Sequence, residues 1–185
     1  MTPGNWGQEV AIKGIVIGGT HSGAGKTTIA LGLMAALTAR GYTVAPFKVG
    51  PDFIDPGHHC RVTGRASRNL DGWMFSRATN LEIFARHTAK ADIAVVEGVM
   101  GLFDGYDGSS EAGSTAQMAK WLELPVALVV GARAMARSAA ALVQGYERFD
   151  DGLRFAGVLF NHLGGPRHLA HLKAAMNGHV HMPVL

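Results

Sequence analysis

The segment GTHSGAGKTT at residues 19–28 joins an apolar run to a segment of helical pattern. The preceding IKGIVIGG is rich in β-branched residues, and the following IALGLMAALTAR carries apolar residues at helical spacing. A strand, a glycine-rich turn and a helix in this order suit a phosphate, because backbone N–H groups and the helix dipole converge there on an anion. The segment predicts a nucleoside triphosphate site.

Within this loop each residue type has a separate task. Gly23 and Gly25 let the backbone approach the phosphates, Lys26 can reach the β- and γ-phosphates, and the Thr27 hydroxyl can bind Mg²⁺. The strict pattern G-x-x-x-x-G-K-[ST] is missed, because Thr20 stands where its first glycine belongs. The alternative is a glycine-rich turn that merely precedes a lysine. The predicted nucleotide contacts are Thr20, His21, Ser22, Gly23, Ala24, Gly25, Lys26, Thr27 and Thr28.

The fold class follows from apolar runs that alternate with alanine- and leucine-rich segments of helical period. Continuous apolarity in DIAVVE, PVALVV and FAGVLF indicates strands covered on both faces. We therefore expect an α/β domain with a mostly parallel sheet between two layers of helices, and ligands at the carboxyl ends of the strands. The predicted strands are Ile12–Ile17, Val44–Val49, Ile93–Val96, Val126–Val130, Phe155–Phe160 and Val180–Leu185.

Two glycine-rich stretches interrupt this alternation. Residues 50–79 begin with GPDFIDPGHH, and we expect them to form a long irregular substrate loop. The second stretch, EGVMGLFDGYDGSSEAGST, follows the central strand and faces the same end of the sheet. Both are therefore candidates for the chemistry that accompanies a bound triphosphate.

A triphosphate requires Mg²⁺, whose ligands are hard oxygens from a loop hydroxyl and strand-end carboxylates. Thr27, Asp52 and Glu97 meet this requirement, although Glu97 could instead cap the next turn and Asp52 and Asp55 could be turn residues beside prolines. Lys48 ends the second strand and could neutralise a transferring phosphoryl group, the alternative being a surface lysine.

Asn161 ends the strand FAGVLF, where its amide could pair with an adenine edge or simply form a turn. The adjacent His58, His59 and Cys60 cannot easily converge on one metal ion, so we expect loop or substrate contacts from them. The later histidines, which are His168, His171, His179 and His181, are expected to face solvent.

Composition excludes several classes of protein. The net charge is +3, but the basic residues are scattered, so nucleic acid is not an expected partner. A denser group, Arg61, Arg65 and Arg68, is either a solvated loop or a clamp for a polycarboxylate. No apolar run reaches the ~18 residues that span a bilayer, and residues 1–11 lack the pattern of a signal peptide. We expect a poorly ordered leader at 1–11, one domain at 12–185, a cytoplasmic location, and an ordinary thiol at Cys60.

Seven segments together resemble the amino-terminal domain of cobyrinic acid a,c-diamide synthase, including its hydrogenobyrinic acid counterpart. The resemblance runs over nearly all of residues 12–185 and implies a P-loop NTPase-like, dethiobiotin-synthetase-like fold. The segments are GTHSGAGKTT, PFKVGPDFIDPGHH, NLDGWM, VVEGVMGLFDG, GSTAQMAKWLELPVALVV, ARSAAALVQGY and GVLFNHLGG.

The resemblance implies an ATP- and Mg²⁺-dependent ligase that amidates the a and c acetate groups of a corrin ring through an acyl phosphate. At matching positions it implies Asp52 and Glu97 with Thr27 at Mg²⁺, and Asp55 and Asp104 near the substrate carboxylates. The candidate catalytic residues are Lys26, Lys48, Asp55 and Asp104. The implied partners are a corrinoid polycarboxylate, ammonia from a glutamine amidotransferase domain and a possible homodimer.

This sequence departs from that family in one respect, since it ends at HMPVL with no amidotransferase signature around its single cysteine. We therefore expect a truncated chain, a split subunit or an isolated domain. Two alternatives remain. A switch ATPase of the cell-division and partitioning type would carry a second lysine where His21 stands, and dethiobiotin synthetase shares mainly the loop, the acidic strand end and the asparagine.

Overall fold

The structure is a computed structural model that describes residues 13–185, so the predicted leader at 1–11 lies outside the described residues. Within them, six parallel strands form one sheet in the order β3-β2-β4-β1-β5-β6, and six helices connect or follow them. The elements are β1 (Lys13–Gly19), α1 (Lys26–Ala39), β2 (Val44–Val49), α2 (Asp55–Thr63), β3 (Arg68–Leu70), α3 (Arg77–Thr88), β4 (Ile93–Glu97), α4 (Thr115–Leu122), β5 (Val126–Gly131), α5 (Ser138–Phe149), β6 (Phe155–Asn161) and α6 (Pro166–Met176).

Helices cover both faces of the sheet, as the continuous apolar runs predict. Neighbouring strand residues enter different cores: Ile17 packs with Met34 of α1, whereas Val16 belongs to the core that α3, α4 and α5 complete. Leu128 is fully buried in that second core, and burying a side chain of this size contributes about 2 kcal/mol. The predicted three-layer α/β fold is therefore confirmed.

The central strand β1 lies between β4 and β5, and the chain runs from β1 to β2 in one half of the sheet and from β4 to β5 in the other. Loops at the carboxyl ends of strands open a crevice at such a point, where doubly wound sheets bind ligands. Strand register places Ile17 and Lys48 on either side of Glu97. The candidate residues of three strands therefore meet at one edge.

The prediction of a long irregular loop at 50–79 was wrong, because this segment contains α2 and β3. Proline at the start of α2 and Gly64 with φ +67° at its end are ordinary helix boundaries. Strand β3 pairs with β2 in parallel over only three residues, which leaves little periodicity to detect.

The predicted last strand, Val180–Leu185, was also wrong. The segment makes a single bridge, between Val158 and Val184, and Pro183 lacks the N–H that a regular ladder requires. His168 was predicted to face solvent, but its Nε2 instead donates to the Met135 carbonyl at 2.6 Å. The prediction of exposure holds for His171, His179 and His181.

Among residues 13–185, no helix combines the length and the apolar character that crossing a bilayer requires.

Candidate active site

The loop between β1 and α1 has the backbone shape that its glycines permit. Gly23 and Gly25 have φ of +85° and +102°, a region that other residues rarely occupy. A Cβ on Gly25 would lie 2.0 Å from Asn161 Nδ2, which itself donates to the Ala24 carbonyl at 3.0 Å. Glycine is therefore required at position 25 for both conformation and space, and Asn161 supports the loop from β6.

Lys26 is a buried cation held by backbone carbonyls. Its ammonium group donates to the carbonyl of His21 at 3.1 Å and to that of Met100. Burial and the neighbouring charge of Lys48 lower the pKa of Lys26, against the opposing effect of Glu97, Asp104 and Asp55. The ammonium group thus makes its hydrogen bonds to neutral carbonyl groups, and a phosphate bound in the loop would give it a fully charged partner.

Glu97 is the centre of a buried polar network at the end of β4. Its Oε1 accepts from the Thr27 hydroxyl at 2.5 Å and from Lys48 Nζ at 2.9 Å. Lys48 Nζ also lies 2.6 Å from Asp55 Oδ2 at the start of α2. Strands β2 and β4 and the first turn of α1 therefore meet at the Glu97 carboxylate, and the first turn of α2 joins them through Lys48.

The charges of this network stabilise one another. Burial alone raises the pKa of Glu97, but hydrogen bonds from His59 and Thr27 and the Lys48 ammonium outweigh it and lower the pKa to about 2. Burial likewise opposes the charge of Lys48, yet Glu97 and Asp55 raise the pKa of this lysine above its ordinary value. Both groups are charged at neutral pH.

Asp52 forms a turn and also lies beside the buried polar network. Its Oδ1 accepts from the N–H groups of Ile54 and Asp55 at 2.7 and 3.0 Å, which is the turn that the sequence allowed as an alternative. Its Oδ2 lies 4.0 Å from Lys48 Nζ. The turn therefore leaves the second oxygen directed toward the buried charges.

A cavity of about 290 Å³ brings most of the predicted site together. Thr20, His21, Ala24, Asp104 and Asn161 do not line it. Asp104 instead accepts from the Gly101 N–H at 2.8 Å, and the Thr20 carbonyl accepts from the Tyr146 hydroxyl at 2.7 Å. The lining residues are Ser22, Gly23, Gly25, Lys26, Thr27, Thr28, Lys48, Asp52, Asp55, Glu97, Gly98, Val99 and Met100.

His59 is a residue of the site that sequence reasoning missed. It was predicted to make loop or substrate contacts, but it is fully buried on α2 and its Nε2 lies 2.7 Å from Glu97 Oε2. The signal was available, because Asp55 and His59 are four residues apart and share a helix face once α2 is recognised. Ser67, Tyr146 and the Met100 carbonyl were missed as well, and no local pattern marks them.

The remaining candidates of the α2 region face away from the cavity. His58 and Cys60 are exposed. The Arg65 guanidinium donates to the carbonyls of His87 and Lys90, which fastens it to the end of α3. Arg61 and Arg68 are exposed, so the three arginines do not converge as a clamp.

Exposed apolar side chains lie on the loops after β2, β3 and β4, at the same carboxyl end of the sheet as the cavity. Trp73 and Tyr106 stack with ring centroids 3.5 Å apart, although 56% and 62% of these residues remain exposed. Such a concentration of apolar surface is unusual unless something binds there. We call these residues the apolar rim: Phe53, Ile54, Trp73, Met74, Phe75, Met100 and Tyr106.

The donor set fits a magnesium ion that is bound together with phosphates. Within residues 13–185, no group of three His, Cys, Asp or Glu side chains could hold a metal by itself. Thr27 and Glu97 nevertheless present a hydroxyl and a carboxylate in contact, with Asp52 nearby. Mg²⁺ characteristically takes one or two carboxylates and completes its shell with water and phosphate oxygens.

The parallel sheet, the loop at residues 19–28 and the buried lysine define a nucleotide-binding domain of the P-loop class. Comparison with protein families is more specific: residues 15–185 match the CbiA family, described as the CobQ/CobB/MinD/ParA nucleotide binding domain. The chain belongs to this family.

Relatives support the resemblance found in the sequence. The chain is 47% identical over 179 residues to the cobyrinate a,c-diamide synthase of Methanosarcina acetivorans, covering 95% of this chain and 36% of the relative. It is 57% identical over 154 residues to that of Syntrophotalea carbinolica, covering 83% and 34%. It is 51% identical over 175 residues to the hydrogenobyrinate a,c-diamide synthase of Streptomyces coelicolor, covering 95% and 36%. The resemblance is confirmed, and the chain spans about a third of these relatives' length.

Solved structures confirm the fold alone. The hydrogenase maturation factor HypB of Archaeoglobus fulgidus is similar with a TM-score of 0.56 at 12% identity, covering 90% of this chain and 75% of that one. Chloroplast FtsY of Physcomitrella patens is similar with a TM-score of 0.51 at 15% identity, covering 80% and 49%.

Proposed function

We propose that this chain is the ATP-dependent part of a ligase that amidates the a and c acetate carboxylates of cobyrinic or hydrogenobyrinic acid. The observation that carries the proposal is a pair of neighbouring buried lysines with different surroundings. Lys26 is bound by backbone carbonyls, as expected of a phosphate partner, whereas Lys48 is bound by Glu97 and Asp55. One cation therefore serves the nucleotide, and the other lies where an acceptor would meet it.

The residues of the chain would act by position and charge. Lys26 and the loop N–H groups would hold the triphosphate, and Thr27, Asp52 and Glu97 would hold Mg²⁺, which neutralises phosphate charge when bound. Lys48 would stabilise the charge that develops as the γ-phosphoryl group moves to the ring carboxylate. Ammonia would then displace phosphate from the acyl phosphate, with Asp55 beside the reacting group.

The apolar rim supports a substrate with a large apolar body. A corrin acid presents a broad ring with carboxylates at its edge, and rim residues Ile54 and Met100 adjoin the polar network directly. Ile54 precedes Asp55, and the Met100 carbonyl accepts from Lys26. A ring bound on the rim would therefore bring its edge carboxylates toward Lys48.

The names of the relatives support this reaction over the alternatives. A partner-binding switch or a dethiobiotin-synthetase-like ligase would use the same fold, but the relatives quoted above are cobyrinate and hydrogenobyrinate a,c-diamide synthases at 47–57% identity. The ammonia source would be a glutamine amidotransferase domain. That partner, a homodimer and a cytoplasmic location all stay predictions.

The test is a reaction with the 185-residue chain, ATP, Mg²⁺, concentrated ammonium and either cobyrinic or hydrogenobyrinic acid, followed by mass spectrometry. We expect ATP-dependent products in which one and then two carboxyl groups have become carboxamides. The reaction without ATP is the control. ATP hydrolysis with no loss of ring carboxylate, for both acids, would contradict the proposal.

A further inference from the structure

His59 is a buried imidazole that the proposed reaction does not use. It lies on α2 one turn after Asp55, and none of its surface is exposed. Its Nε2 lies 2.7 Å from Glu97 Oε2, and its Nδ1 lies 3.0 Å from Ser67 Oγ. Because a carboxylate only accepts hydrogen bonds, Nε2 is the donor in the first contact. A fully buried ring cannot touch a nucleotide or an acceptor, so any role must pass through Glu97.

The two oxygens of Glu97 have different partners. Oε1 accepts from Thr27 and Lys48 on the cavity side, whereas Oε2 accepts from His59 on the α2 side. A carboxylate bound at one oxygen alone can rotate about its terminal torsion, which is a soft coordinate. The bond from His59 removes this freedom and keeps Oε1 directed at the Thr27 hydroxyl.

Ser67 fixes the imidazole in turn. Its hydroxyl faces Nδ1 from the turn before β3, so the ring is held at both nitrogens. The chain Ser67, His59, Glu97 is the arrangement by which outer residues orient a metal ligand and raise its affinity for the ion. Helix α2 thereby contacts the network twice on one face, through Asp55 to Lys48 and through His59 to Glu97.

We propose that His59 is a positioning residue that orients Glu97 for the divalent cation of the nucleotide complex. This inference rests on the proposed function, in that it takes Glu97 as a ligand of that cation. The loss of such an outer partner typically lowers metal affinity by about 10- to 100-fold. Loss of His59 should weaken binding of the cation and leave the contacts of the loop with the phosphates unchanged.

The experiment compares Mn²⁺ binding, followed by electron paramagnetic resonance, with the 185-residue chain and a non-hydrolysable ATP analogue. We expect His59→Leu to weaken Mn²⁺ binding by about 10-fold or more, with metal-free binding of the analogue unchanged. His59→Gln offers an N–H donor near the position of Nε2 and should recover much of the loss. His58→Leu is the matched control, because His58 is exposed on the same helix.

A second variant keeps the test decisive if His59→Leu does not fold. Ser67→Ala removes only the partner of Nδ1 and should weaken Mn²⁺ binding by a smaller factor. Wild-type Mn²⁺ affinity in folded His59→Leu, or in Ser67→Ala when the leucine variant is unfolded, overturns the inference. An unchanged Mn²⁺ affinity in Glu97→Gln overturns it too. If the wild type binds Mn²⁺ and nucleotide but forms no amide, the proposed reaction fails while the role of His59 is still measured.

Discussion

Lys48 and Glu97 are direct partners in the pairing of β2 with β4, and their side chains form an ion pair of 2.9 Å. The pair is buried, with 5% of the Lys48 side chain and none of the Glu97 side chain exposed. A buried ion pair contributes little net stability, because desolvation opposes the attraction, but the loss of one partner leaves an uncompensated charge. The strand register therefore places these two charges side by side in the candidate site, a pairing that stability alone does not explain.

We expect Lys48→Met to destabilise the chain by about 3 kcal/mol, because the change leaves the Glu97 carboxylate buried without its cation. Glu97→Gln should destabilise it by a similar amount. The double variant should lose at least ~1 kcal/mol less than the sum of the single variants, since it removes both charges. Urea unfolding followed by circular dichroism measures all three free energies.

Lys173→Met is the control for this cycle, because Lys173 is exposed on α6. It should change the free energy of unfolding by less than ~0.5 kcal/mol. Strict additivity of the two buried substitutions would contradict the coupling.

The free energy of unfolding at acid pH should depend on the same carboxylate, Glu97. The pKa of Glu97 in the folded chain is about 2, below its ordinary value of 4.5. The folded state therefore favours the charged form, and this stabilisation is full above pH 4.5 and is lost as the pH falls toward about 2. The difference in unfolding free energy between wild type and Glu97→Gln should shrink across that range. Parallel pH curves for the two proteins would contradict the depressed pKa.

The fold was largely predictable because continuous apolar runs report strands buried on both faces. The runs at Val44–Val49 and Val126–Val130 match β2 and β5 closely. Short polar elements were not predictable in the same way. Helix α2 reads DPGHHCRVT and buries only His59, so it carries no apolar stripe from which a helical period can be read.

The grouping of the candidate residues was predictable for residue types whose chemistry can be recognised at the end of a strand. Lys26, Thr27, Lys48, Asp52, Asp55 and Glu97 all line the cavity, as parallel strands with a common carboxyl end require. His59 was not predicted, because its contact with Glu97 depends on a helix that the sequence pattern conceals. Tyr146 reaches the Thr20 carbonyl across 126 positions, which no local pattern can indicate.

Removing the loop cation should abolish tight nucleotide binding. Lys26→Ala deletes a buried ammonium group that backbone carbonyls hold in place, so a bound triphosphate would lose its principal charged partner. We expect ATP affinity in the presence of Mg²⁺ to fall by at least ~100-fold, since charge-assisted bonds contribute up to about 3 kcal/mol each. Calorimetry measures this, with Lys173→Ala as the matched control. Equal affinities in wild type and Lys26→Ala would remove the basis for the loop assignment.

The apolar rim should affect the acceptor and not the nucleotide. Trp73→Ala removes one ring of the exposed stack with Tyr106, and contact between a ring substrate and an aromatic side chain contributes about 1 kcal/mol beyond burial. We expect KM for the ring acid to rise by about 5-fold or more, with kcat and KM for ATP nearly unchanged. Tyr42→Ala removes an exposed aromatic residue that lies outside the rim and serves as the control. The role of the rim is refuted if Trp73→Ala and Tyr42→Ala give the same KM for the ring acid.

Substitutions in the segment PDFIDP should distinguish a ligase from a nucleotide switch most clearly. Asp55 Oδ2 lies 2.6 Å from Lys48 Nζ, whereas Glu97 contacts Thr27 of the loop directly. Asp55 is therefore one contact farther from the loop than Glu97, and we expect its charge to matter after nucleotide has bound. Asp55→Asn should therefore leave Mg²⁺-ATP affinity within about 2-fold of wild type and lower the rate of amide formation by about 100-fold or more. Asp52→Asn, nearer the proposed metal position, should lower both. Concentrated ammonium serves as nitrogen donor throughout, calorimetry gives the affinities and mass spectrometry gives the rates. If the chain were a switch, these substitutions would impair partner binding, and no variant would show an acceptor-dependent reaction. A wild-type rate of amidation in Asp55→Asn would show that the carboxylate only holds Lys48 in place.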